Sequence, residues 1–60
     1  MYEKILELIR EKEITFAELS RQTGIAENVF SNLKSRGGML SVENAARVAD
    51  YFGVRIDDLL

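Results

Sequence analysis

An all-α fold, a compact bundle of four to five short helices, follows from two observations on these 60 residues. Apolar residues recur at three- and four-residue intervals in successive segments, the period of an amphipathic helix, and the glycines fall between those segments. No stretch alternates apolar and polar residues as a half-buried strand does, and no proline interrupts the pattern. One domain, residues 1–60, is the expectation, because a chain this short supports a single modest core.

The elements follow in order. In the first helix Tyr2, Ile5, Leu6, Leu8 and Ile9 form the apolar side, and Lys4, Glu7, Glu11 and Lys12 fill the rest. Thr15 followed three residues later by Glu18 reads as a capping box opening a second helix. Phe16, Leu19, Ser20 and Thr23 line one side of it, and Gly24 ends it. A third helix runs from about Ala26 to Arg36, closed by Gly37 as its left-handed residue. Ser41 is the N-cap of a fourth helix, with Val42, Ala45, Val48, Ala49 and Phe52 as its apolar stripe and Gly53 as its stop. The tail RIDDLL adds a last helical turn or two, with Asp57 and Asp58 near its positive end and Leu59 and Leu60 returning to the core.

Composition excludes several functions. The chain has no cysteine and no histidine, so a disulfide framework, a thiolate nucleophile and the usual zinc, haem and iron–sulfur ligand sets are all missing. An enzyme of this size also lacks the volume to wall off a pocket, and neither a cofactor nor a metal is expected. Asp57 and Asp58 point about 100° apart on a helix and read as helix-end charges, not as ligands. Charges break the apolar pattern of MYEKILELIREKE too often for a signal peptide or a membrane span, which predicts a soluble, cytoplasmic protein.

The formal net charge is -2, which by itself speaks against a nucleic-acid partner. Its distribution speaks the other way. Met1 to Ser20 carries five acids and three bases, whereas Asn28 to Arg47 carries Lys34, Arg36 and Arg47 against Glu43 alone. The most informative segment, GIAENVFSNLKSRG, lies at the start of this basic stretch. On a helical wheel Glu27, Asn28, Ser31, Asn32 and Ser35 share an arc of about 140°, opposite Ala26, Val29, Phe30 and Leu33. Asparagine and serine are weak helix formers, so a face built from them suggests that an outside partner uses their donors and acceptors. Base edges in a major groove are such a partner, and a plain solvated face is the alternative. Lys34 and Arg36 border the arc, placed for phosphate on either side. For Phe16 a thymine methyl or a dimer contact is conceivable, but its spacing favours the core; Tyr2 and Tyr51 read as half-buried at the bundle edge.

Four motifs stand in order along the chain: TFAELS at 15–20 followed by Gly24 and Ile25, FSNL at 30–33, LSVE at 40–43, and ADYFGVRIDDLL at 49–60. Together they resemble the phage repressor and Cro-type helix-turn-helix family, also called Xre. The resemblance implies a lambda repressor-like bundle in which the second helix of the pair enters the major groove. It further implies a sequence-specific transcriptional regulator, a repressor bound to a double-stranded DNA operator as a homodimer, bacterial or phage-encoded and nucleoid-associated. Carried over, Glu27, Asn28 and Asn32 are base readers with Val29 and Ser31 beside them; Lys34, Arg36, Arg21 and the amides of Gly37 and Gly38 meet phosphate. Three positions depart from the family: Phe16 stands where glutamine is usual, Ala26 where a serine or threonine cap is usual, and Glu27 where a neutral or basic residue is commoner. These departures and the acidic total support a second reading, an antitoxin-like or adaptor module that binds protein through the same fold.

Overall fold

The computed structural model describes residues Met1–Leu60, and every regular element in it is helical. Four α-helices, α1 (Tyr2–Lys12), α2 (Phe16–Thr23), α3 (Glu27–Arg36) and α4 (Val42–Phe52), precede a 3₁₀ turn at Ile56–Leu59. They enclose one apolar core of Ile5, Leu8, Ile9, Leu19, Ile25, Phe30, Leu33, Val48, Ala49 and Leu59. Phe30, Ile5, Leu19, Leu59 and Val48 are its fully enclosed side chains, each contributing about 1.5–3 kcal/mol by leaving water. Phe30 and Leu33 are the buried residues of α3, so the apolar side of that helix is its anchor.

Local chemistry explains most helix ends. The Ser41 hydroxyl accepts from the Asn44 amide at 3.2 Å, and Gly24 and Gly53 adopt left-handed backbone with φ of 76° and 70°. The capping box at α2 is only half made: the Thr15 hydroxyl accepts from the Glu18 amide at 3.1 Å, but the Glu18 carboxylate turns outward to Arg21 and Gln22. The first helix closes without glycine. Glu13 takes the left-handed conformation itself, at φ 57° and ψ 44°, a strain of about 1–2 kcal/mol for a residue bearing a Cβ.

The third helix begins at Glu27, with Ala26 in the cap position as expected. Three sequence expectations need correction. Gly37 has positive φ but an extended ψ of -156°, so it leads the chain away from α3 and does not close it in the left-handed form. Val42 shares the face of Ala45 and Ala49 but is 79% exposed, because the first turn of α4 extends beyond the core. Leu59 is fully buried while Leu60 is 65% exposed, because one short turn aims only one leucine inward.

Candidate functional site

Three residues, Gly24 to Ala26, join α2 to α3, and their hydrogen bonds set the angle between the helices. The Gly24 amide donates to the Ser20 carbonyl at 2.9 Å, and a Cβ at Gly24 would stand 3.8 Å from the Arg47 guanidinium, so backbone conformation and not space requires the glycine. Ile25 is buried and acts as a plug between the two helices. Its carbonyl accepts from the Ser20 hydroxyl, and its amide donates to the Thr23 hydroxyl at 3.3 Å. Thr23 in turn donates to the Leu19 carbonyl at 2.7 Å. Both polar side chains of the apolar side of α2 are thereby spent on the turn.

Anchored by Phe30 and Leu33, α3 presents Glu27, Asn28, Ser31, Asn32 and Ser35 to solvent. None of these side chains makes a hydrogen bond within the chain. Val29 stands apart from them: it is half-buried and packs against the core at the edge of the exposed arc. Ala26 supplies no side-chain cap, and the amides of Glu27 and Asn28 have no acceptor in the chain.

The cations divide into two groups. Four ion pairs form, Lys4–Glu7, Arg21–Glu18, Arg47–Glu43 and Arg55–Asp57, and neither Lys34 nor Arg36 belongs to any of them. Lys34 borders a recess of about 200 Å³ with Tyr2, Phe16, Glu27, Phe30 and Ser31. Arg36 borders a groove of about 290 Å³ on another flank of α3, whose lining includes Asn32, Met39 and Asn44. Arg21 is engaged with the Glu18 carboxylate on α2. Hydrogen bonds from Gln22 and from Arg21 stabilise the charged form of that carboxylate and hold its pKa below the ordinary value. After α3 the two glycine amides differ: that of Gly37 donates to the Leu33 carbonyl at 3.0 Å and is occupied, whereas that of Gly38 has no acceptor in the chain. The expectation that both amides are open to a ligand is corrected for Gly37.

Two features of this face escaped sequence reasoning. Tyr2 stacks on Phe16 with centroids 5.6 Å apart, and Phe16 leans on Phe30 at 5.5 Å, so three aromatic residues from three helices wall the recess beside Glu27. Contact between Tyr2 and Phe16 is long-range, and no local period signals it. Met39 and Val42, 65% and 79% exposed, stand close in sequence just after α3; their apolar type had suggested burial for Val42 and nothing for Met39.

The geometry is a buried-plug turn followed by a helix with an open, uncommitted polar face. A family profile described as a Cro/C1-type HTH DNA-binding domain matches residues 4–60 of the chain. The chain belongs to the Cro/C1-type helix-turn-helix DNA-binding family. In that family α2 and α3 are the helix pair that names the motif, and the domain binds double-stranded DNA as part of a regulator. Such domains are typically not enzymes. Searches of curated proteins and of solved structures found no significant match. No helix is long and apolar enough to cross a membrane.

Proposed function

We propose that this protein is a sequence-specific transcriptional repressor that occupies an operator with α3 in the major groove. The observation that carries this reading is the exposed face of Asn28, Ser31 and Asn32, free of internal hydrogen bonds and flanked by Lys34 and Arg36, free of ion pairs. Asparagine can pair bidentately with adenine N6 and N7, and each such match is worth about 1–3 kcal/mol of discrimination. Glu27 and Asn28 lead the helix to the bases, Asn32 reads one turn on, and Ser31 and Val29 complete the contact. Lys34, Arg36 and the Gly38 amide take phosphates and so set the register, and Arg21 joins them by releasing Glu18. Residues 1–60 act as one domain, and a homodimer places two copies of α3 about 34–36 Å apart on successive major grooves. The protein works in the cytoplasm, on nucleoid DNA.

The deciding experiment is selection from random duplex DNA, followed by sequencing of what the protein retains. Recovery of a two-fold symmetric consensus supports a dimeric operator-binding repressor. Retention of no sequence above the starting pool rejects the proposal. A second reading has its own support: exposed Met39, which lines the Arg36 groove, offers an apolar contact to a protein partner. Tight capture of a protein together with failure of DNA selection would move the assignment to an adaptor or antitoxin-like module.

A further inference from the structure

The aromatic recess beside α3 points to which base Glu27 reads, an inference that rests on the DNA-binding proposal above. Its wall is the stacked pair Tyr2 and Phe16 with Phe30 behind, and Glu27, Ser31 and Lys34 complete its lining. The Glu27 carboxylate is exposed, makes no ion pair and accepts no hydrogen bond within the chain. A carboxylate acceptor therefore shares one recess with an apolar wall.

We propose that Glu27 and Phe16 together read one cytosine, Glu27 accepting from its N4 amino group while the aromatic wall meets its C5 edge. Each of the other bases fails on one of the two components. Guanine offers only acceptors, O6 and N7, to the major groove, and thymine offers the acceptor O4, so both bring lone pairs against an acceptor-only carboxylate. Adenine has a suitable N6 donor, but its neighbouring N7 acceptor would face the aromatic wall and lose its water without replacement. Cytosine alone sets a donor beside an apolar C–H. The recess of about 200 Å³ is also large enough for a methyl group on C5, so 5-methylcytosine fits better than cytosine.

The test begins with wild-type protein and a duplex retained from the random pool. Each base pair is exchanged in turn, and each cytosine is replaced by 5-methylcytosine, with affinity read by fluorescence anisotropy. One position should prefer cytosine by about tenfold or more over every other base. Methylation there should strengthen binding about fourfold, the worth of one buried methyl. Glu27→Gln leaves the fold intact, since the residue is exposed, and should erase the preference for cytosine over thymine at that position alone. Specific binding with no cytosine preference that responds to Glu27→Gln overturns the inference and leaves the repressor reading standing, as does methylation that weakens binding at the cytosine concerned. Failure to retain any duplex removes both.

Discussion

The Ser20 hydroxyl donates to the Ile25 carbonyl, tying the last turn of α2 to the residue that leads into α3. The bond spans the turn in which Ile25 is the buried plug, so the direction of α3 depends on a side chain of α2, outside the exposed polar face. Ser20→Ala leaves that carbonyl without its donor, and we expect a loss of about 1–3 kcal/mol in urea unfolding. Affinity for DNA should fall with little change in sequence preference. A variant as stable as the parent would remove Ser20 from the account of the turn.

Glu13 is the one non-glycine residue with positive φ. Its carboxylate also lies at the negative end of α1, where an acid is unfavourable. Glu13→Gly should raise stability by about 1 kcal/mol, the relief of left-handed strain less the added freedom of the unfolded chain. In a domain of this size that corresponds to a rise of about 4–8 °C in Tm, measurable by circular dichroism. A fall in Tm would show that the side chain of Glu13 contributes more than its backbone costs.

Glu18 makes stability depend on pH in a defined direction. Its pKa is lowered by hydrogen bonds from Gln22 and then Arg21, so the folded protein holds the proton less tightly than the unfolded chain does. The stabilising contribution is present above the ordinary value of 4.5 and is lost as pH falls through the lower folded value. Gln22→Leu should move the Glu18 titration, followed by NMR, back toward the ordinary value. An unmoved titration would assign the shift to another group.

Base readers and phosphate contacts should fail differently. Lys34→Ala and Arg36→Ala should each flatten the dependence of log affinity on log salt by about 0.9 while preserving the preferred sequence. Asn28→Ala and Asn32→Ala should keep the slope and relax preference at one position each, by about 1–3 kcal/mol. Equal loss on every sequence from all four variants contradicts this division of roles.

Much of the fold was legible in the chain because the helix signals are local. Thr15, Gly24, Ser41 and Gly53 mark ends that the backbone uses, and the 3.6-residue period placed Ile5, Leu19, Phe30, Leu33 and Val48 in the core. Where local rules misled, a tertiary reason is visible. Val42 obeys the wheel but lies beyond the reach of the core, and Leu60 competes with Leu59 for a single inward direction. The closing residue of α1 could not be found by looking for glycine, since a strained glutamate holds that place. On the polar helix, the periodicity identified which side chains face outward; it could not show that Tyr2, thirty-two residues from Lys34, builds the recess beside it.

The fully buried Leu59 has a consequence for the lifetime of the protein in a cell. A protease cutting after Asp58 would withdraw a keystone leucine, and truncating such a side chain to alanine alone typically forfeits about 2–5 kcal/mol. Against the few kcal/mol that hold so small a bundle together, that single nick would dissolve the whole bundle, α3 included. Clearance of this protein would thus begin with one peptide bond and end in abrupt loss of its DNA-binding domain.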